Sequence, residues 1–301
     1  MISRRNFLRW IAALAVAGVG TPAYGAIEPL LRPRIARYDL RLSGWPRDLE
    51  LTVAALADIH ACSPWMTADH IASIADQANG LNADIIVLLG DYVASHRFVT
   101  GHVPASEWSR ALAGLKAPLG VHAILGNHDW WDDKSVQRSG HGTPVSRHAL
   151  EKVGIPVYDN DVVRLTKGKT AFWLAGLGDQ LAYMPSRRLR PGRRIGVDNL
   201  AGTLAKVSDS APVILLAHEP DVVARVPQRV ALTLSGHTHG GQIRLLGWSP
   251  RTINEYTYGH MREKCDLIVS GGLGCSIVPL RIGVPPEIVL VKIASSDRDQ
   301  G

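Results

Sequence analysis

The chain has 301 residues, 46% of them hydrophobic and 20% charged, with a formal net charge of +6. That length can bury a sizeable core in one large domain, and the ordinary composition excludes disordered, collagenous and fibrous classes. Long apolar runs do not recur along the chain, and three cysteines are too few for a disulfide scaffold, so a polytopic membrane protein and a small stapled domain are also excluded. The charge invites a nucleic-acid reading, but its distribution argues against one. Arg4, Arg5 and Arg9 sit at the N-terminus, five arginines cluster between Arg187 and Arg194, and the remainder of the chain is net acidic. No aromatic–basic interleaving accompanies them, so no nucleic-acid partner is expected.

In chain order, Ser3-Arg4-Arg5-Asn6-Phe7-Leu8-Arg9 leads into an uncharged run from Trp10 to Gly20 and then the small-residue stretch from Thr21 to Ala26. A basic start, a short apolar run and small residues before a cut mark an export signal, and paired arginines ahead of Phe-Leu resemble a twin-arginine leader. Residues 1–25 are therefore expected to be a signal peptide read by the twin-arginine export machinery, with cleavage after Gly25. The protein is then periplasmic or otherwise extracytoplasmic, and membrane-associated if the leader is retained. Residues 26–48, basic and proline-containing, are expected to form an extension before a single domain over 49–301.

In that domain the runs 51–57, 85–89, 121–125, 213–217 and 232–235 are short, apolar and nearly continuous, as strands buried on both faces are. Helical patterns are expected near 67–79, 106–115, 144–153 and 197–208, with Thr67 suited to cap the first. Further strands are expected over 156–165, 170–177, 241–246, 266–271 and 287–293. The β-α-β alternation predicts an α/β sandwich around mixed sheets.

Polar residues gather where those five runs end. The first runs into Asp58-Ile59-His60, the second into Gly90-Asp91, and the third into Gly126-Asn127-His128-Asp129. The fourth runs into His218 and the fifth into Gly236-His237-Thr238-His239. In open α/β sheets the carboxyl ends of the strands border the ligand crevice, and glycines there permit tight turns. Two carboxylates, four imidazoles and one amide oxygen form a mixed O/N donor set that suits Mn, Fe or Zn. Seven donors exceed one open metal site and fit two if a carboxylate bridges them, an arrangement suited to in-line displacement at phosphorus.

This ordered set resembles the calcineurin-like metallophosphoesterase superfamily. Ala217-His218-Glu219-Pro220-Asp221, Gly236-His237-Thr238-His239-Gly240-Gly241-Gln242 and the segment from Gly272-Leu273-Gly274 to Pro286-Glu287-Ile288 are similar to its YkuE/YaeI-like bacterial phosphodiesterase group. One departure is Gly271, where arginine is expected. The resemblance implies a four-layer α/β/β/α sandwich with mixed sheets and two divalent metal ions per chain. It places one ion on Asp58, His60, Asp91 and His239 and the other on Asp91, Asn127, His218 and His237. His128 would sit over the leaving group as general acid while a metal-bridging hydroxide attacks phosphorus in line. Gly90-Asp91 continues into Tyr92-Val93-Ala94-Ser95 rather than Asp-Arg-Gly, which disfavours a phosphoprotein phosphatase.

The expected activity is thus phosphoester hydrolysis, with phosphodiesters favoured, on a small-molecule or phospholipid-type substrate. A lipid-linked pyrophosphatase, such as a UDP-acylglucosamine hydrolase, is the enzymatic alternative, and a non-catalytic interaction module on the same fold is the other. Trp130 and Trp131 either stack on substrate or pack the loop, and Asp129 either orients a histidine or caps a turn. His122 reads as a core residue. Residues 92–110, with His96, His102 and Trp108, are expected to shape access to the site, the arginine cluster offers a peripheral membrane contact, and Cys265 and Cys275 could pair.

Overall fold

Continuous apolar runs become strands here because both of their faces are covered. The computed structural model describes residues 24–94, 96, 98–185, 195–244, 249 and 256–296. The leader up to residue 23 and the arginine cluster at 187–194 lie outside the described residues. A first sheet contains β1 (Arg34–Leu42), β2 (Leu51–Leu56), β4 (Ile85–Leu88), β6 (Val121–Ala123) and β13 (Glu287–Ser295), in the order β1-β13-β2-β4-β6. Strands β2, β4 and β6 run parallel, while β13 is antiparallel to β2 and parallel to β1. The second sheet contains β7 (Asp161–Lys167), β8 (Thr170–Gly176), β9 (Val213–Leu216), β10 (Val230–Ser235), β11 (Gly259–Arg262) and β12 (Asp266–Val269). Its order is β11-β12-β10-β9-β8-β7, parallel from β12 to β8 with antiparallel edges.

Alternation along β2 shows how the layers form. Val53 and Ala55 point into the space between the sheets, where they join Val87 and Val289 against Phe172, Leu174, Ile214 and Leu234. Ala54 and Leu56 point the other way, onto helices α1 (Ala68–Asn79), α2 (Ala105–Leu112) and α5 (Val145–Lys152) through Ile71, Ile74, Trp108, Leu112 and Leu150. Thr67 caps α1 by accepting from the His70 N–H. Beyond the second sheet, Ala175, Val213 and Leu215 meet Leu200 of α6 (Leu200–Leu204) and Val222 and Val223 of a 3₁₀ turn. The result is the expected α/β/β/α sandwich. Between the first-layer helices lie α3 (Asn127–Trp131) and α4 (Lys134–Ser139), and a short ladder of β3 (Cys62–Ser63) with β5 (Gly101–His102) flanks the loops they border. No helix among the described residues is long and apolar enough to cross a membrane.

Four expectations change. The stretch 26–48 is not merely an extension, since residues 34–42 supply edge strand β1, half-exposed and therefore rich in charge. The expected strand at 241–246 begins instead as a 3₁₀ turn over His239–Gly241, because Gly240 and Gly241 adopt positive φ, and Ile243 makes only an isolated bridge to Ile282. Helix 197–208 shortens to α6, and Val157 makes an isolated bridge to Ala123 ahead of β7.

Candidate metal centre

Parallel strands in both sheets bring their carboxyl ends to one crevice. Asp58 and His60 follow β2, Asp91 follows β4, Asn127 opens α3 after β6, His218 follows β9, and His237 and His239 follow β10. The structure brings all seven together. Five of them hold left-handed backbone conformations, with φ of 54° at Asp58, 48° at His60, 59° at Asp91, 69° at His237 and 53° at His239. Such conformations cost about 1 kcal/mol or more each for non-glycine residues and persist where the surroundings impose them.

The donors fall into two groups joined by a third, in which His60, Asp91 and His128 converge. Asp58, His60 and His239 form one, with His60 Nε2 3.1 Å from His239 Nε2 and His239 Nε2 3.5 Å from Asp58 Oδ1. Asp91, His218 and His237 form another, with His218 Nε2 3.2 Å from Asp91 Oδ2. Asn127 Oδ1 joins it, 2.8 Å from His237 Nδ1. Asp91 Oδ2 also lies 3.5 Å from His60 Nε2, so this carboxylate stands between the two.

Backbone carbonyls orient the rings. His60 Nδ1 sits 2.9 Å from Val93 O and His218 Nδ1 2.7 Å from Leu89 O. A carbonyl accepts only, so each Nδ1 carries a proton and each Nε2 is the atom turned inward, the one a metal-binding histidine offers. His218 Nε2 is buried and has no hydrogen-bond partner. An orphaned imidazole nitrogen amid carboxylates is what a cation would satisfy, so the residues present fit divalent ions. His239 differs, because Arg281 Nη2 lies 3.2 Å from its Nδ1.

Electrostatics follow from crowding. Burial pushes Asp58 up to about 7, with neighbouring Asp91 adding to the rise against the pull of His218. Burial works on Asp91 too, yet His218 and His128 outweigh it and hold this carboxyl well below its usual range. Burial drives His60 down to about 3. His218, despite burial, is held well above the ordinary histidine value by Asp91. Positive charge is wanted at Asp91.

Supporting residues explain why the turns hold. Asp129 does not orient a histidine; its carboxylate accepts from the backbone N–H groups of Gly126, Asp91 and Tyr92 and ties two loops together. A Cβ on Gly126 would collide with Asp91 Oδ1 and His218, and one on Gly272 (φ +72°) would come within 2.8 Å of Asp58 Cβ. Three contributors were not assigned roles from the sequence. Arg281 is fully buried, with Nε on Gly274 O and Nη1 on Val284 O. Glu219 and Asp179 lie buried beside the second group, Glu219 Oε1 4.0 Å from His237 Nδ1. Glu219 and Arg281 adjoin conspicuous motifs, but Asp179 carries no local signal.

Other flagged residues settle into place. His128 is 14% exposed, its ring 4.8 Å from that of His60, with Nδ1 3.6 Å from Asp132 Oδ2. Trp130 packs edge-on against Tyr183, whereas Trp131 bonds Leu181 O and keeps its ring 5.2 Å from His128. His122 is buried and bonded to Tyr158 and Leu119 O. The three cysteines are unpaired and buried, Cys265 against Thr233 rather than Cys275. At Gly271, Tyr258 and Val284 approach within 3.0 and 3.1 Å of a Cβ position, so a side chain there would press on both.

A family profile described as calcineurin-like phosphoesterase matches residues 51–241. The chain is 28% identical to the uncharacterized metallophosphoesterase YkuE of Bacillus subtilis, over 98% of this chain and 99% of that protein. It is 29% identical to an uncharacterized metallophosphoesterase of Aquifex aeolicus, over 90% and 95%. A transmembrane protein with metallophosphoesterase domain from Danio rerio is 28% identical over 95% of this chain and 63% of its own length.

Proposed function

Because the chain belongs to the calcineurin-like phosphoesterase family, whose membership implies a metal-dependent phosphoester hydrolase, we propose that it is a binuclear hydrolase of phosphodiesters acting outside the cytoplasm. The observation that carries the binuclear reading is Asp91, whose Oδ2 lies 3.5 Å from His60 Nε2 on one side and 3.2 Å from His218 Nε2 on the other. Asp58, His60 and His239 would hold one divalent ion with Asp91, and Asn127, His218 and His237 the other. Bound ions supply a nucleophile from water near neutral pH and neutralise charge on the phosphoryl oxygens.

The protein's own residues do the rest. Burial opposes the charge of His128, but Asp91 and Asp132 outweigh that and raise its pKa above the ordinary histidine value. Its ring stands at the rim of the crevice beside His60, where it can donate to a departing alkoxide as general acid. Its backbone N–H meanwhile donates to Asp91 Oδ1 at 2.8 Å and fixes that carboxylate's orientation. The diester preference is supported by the likeness of the motif set to the YkuE/YaeI-like group, and the extracytoplasmic location by the twin-arginine pattern at Arg4-Arg5. A phospholipid-type substrate accords with the arginine cluster as a peripheral membrane contact.

Elemental analysis of the purified protein tests the centre; the expected result is two ions per chain, with hydrolysis of 4-nitrophenyl phosphate esters. Fewer than two ions together with no ester hydrolysis would overturn the reading. His128→Ala should cost roughly 10²–10⁴-fold on alkyl esters and far less on nitrophenyl esters, whose leaving group needs little protonation. Equal losses on both would remove the general-acid role.

A further inference from the structure

The segment ahead of β1 is seated at the end of the first sheet that carries the donors. Strand β1 begins at Arg34, paired with Glu287, and β13 then runs antiparallel to β2, with Val289 opposite Ala55 near the carboxyl end of β2. Upstream, residues 24–30 are helical. The Gly25 carbonyl accepts from the Arg281 N–H at 2.9 Å, and Nη2 of the same arginine lies 3.2 Å from His239 Nδ1. Trp65 Nε1 donates to Ala26 O at 3.3 Å, and Gln77 Nε2 to Pro33 O at 2.6 Å. A Cβ on Gly25 would come within 2.9 Å of Ile282 Cγ1. The segment is thus tied to the body at both ends.

Its two sides differ in chemistry. Gly25, Glu28 and Pro29 are buried against the body, whereas Tyr24 and Ile27 are 53% exposed and Leu30 and Leu31 45%. At helical spacing the four exposed residues fall on one side, within about 120° of arc. The solvent side of a helix ordinarily carries polar groups, and here each of the four side chains is apolar or aromatic. Their single polar atom, the Tyr24 hydroxyl, donates to Glu28 Oε1 at 3.2 Å. No charged residue occurs between Arg9 and Glu28, so the stripe lies where an uncharged length of chain enters the folded body. Arg32 follows it directly and is exposed. Apolar side chains on one helical side, uncharged chain before them and an arginine after them fit the boundary between acyl chains and head groups.

We infer that Tyr24, Ile27, Leu30 and Leu31 form a contact with the surface of a lipid bilayer, which holds the donor-bearing end of the sheets toward the head groups. Cleavage after Gly25 would take only Tyr24 from this contact. The contact stands without the hydrolase reading; combined with it, a phosphoester in the head-group layer becomes the substrate within reach.

The test places a nitroxide on Leu30→Cys in the full chain, whose native cysteines are buried, and reads its depth from the opposing effects of oxygen and a water-soluble nickel chelate. Lys169→Cys, in the exposed turn between β7 and β8 at the end of the sheets away from the donors, is the aqueous reference. On vesicles of phosphatidylethanolamine and phosphatidylglycerol the Leu30 label should lie about 5–10 Å into the boundary layer and the Lys169 label in water. Adding Ile27→Asp with Leu31→Asp should return the Leu30 label to water while residues 1–23 are unchanged; Leu31→Asp alone serves the same end if the double variant fails to fold. A Leu30 label that stays in water on vesicles would overturn the inference. So would a label that stays deep beside the aspartates, which would assign its depth to residues 1–23 alone. A label already shielded from nickel before vesicles are added would also overturn it, since those residues or a second copy of the chain would then cover the stripe. Nitrophenyl ester hydrolysis is measured on the same variants and should not change, so loss of the contact and loss of the hydrolase reading are told apart.

Discussion

Asp91 stands between the two donor groups, within 3.5 Å of His60 Nε2 and 3.2 Å of His218 Nε2, and the groups on its two sides differ. Asp58, His60 and His239 are each at most 1% exposed, all three take left-handed backbone, and two imidazole Nε2 atoms face one another. Arg281 stands behind His239 as a hydrogen-bond donor to Nδ1, which leaves that ring's own proton on Nε2, toward His60. In the other group the His237 side chain is 23% exposed, and neither Asn127 nor His218 has positive φ. Strain and burial thus concentrate on one side of the shared carboxylate, while solvent reaches the other. A cation entering the sealed group must displace a proton and disturb a buried guanidinium, so it should exchange slowly. The half-open group, with the His237 side chain in contact with solvent, should exchange quickly.

The largest expected effect comes from removing what the groups share. Asp91→Asn should empty both and lower turnover on the order of 10³-fold or more, read by elemental analysis and ester hydrolysis. One ion retained at full affinity would show that Asp91 does not bridge. Asn127→Ala should spare the sealed group and weaken the second ion by roughly 10–100-fold. Chelator competition, followed over time, should then show one slow ion remaining; loss of the slow ion first would reverse the comparison. Gly272→Ala forces a Cβ against Asp58 at a φ that side chains resist, so it should destabilise the fold by about 1–3 kcal/mol in urea and loosen the slow ion alone. Thr67→Ala, far from both groups, should cost about 1 kcal/mol through the lost cap and leave both ions in place, which sets the baseline for the others.

The strand ends were legible because their strands are buried on both faces. A continuous run such as Ile85–Leu88 has no solvent side to interrupt it, so the polar residue that follows stands out. Strand β1 was not legible for the opposite reason. Arg34, Arg37, Asp39 and Arg41 dilute its apolar residues, and an edge strand with one wet face resembles a basic linker until its partner is known. The turn at Gly240 and Gly241 looked extended because neighbouring apolar residues suggested a strand, while the glycines' positive φ decided otherwise. In the site, the donors were visible as types at spacings. The functions of Asp129, Asp179 and Arg281 were not, since each depends on a partner brought close only by the fold.

Strand β13 has a consequence for how the protein comes to exist. It is the last strand among the described residues, yet it lies inside the first sheet between β1 and β2, and Arg34 is paired in register with Glu287. Contacts of such long sequence separation close late and slowly. While a ribosome is still short of residue 287, β2 has no neighbour on that side, although every donor up to His239 has already been synthesised. Glu287 also accepts from the Gly271 N–H, next to the glycine that crowds Asp58. Completion of the first sheet is therefore an event for the released chain, and a stop codon removing only the final strand should be felt at a centre whose own residues are all intact.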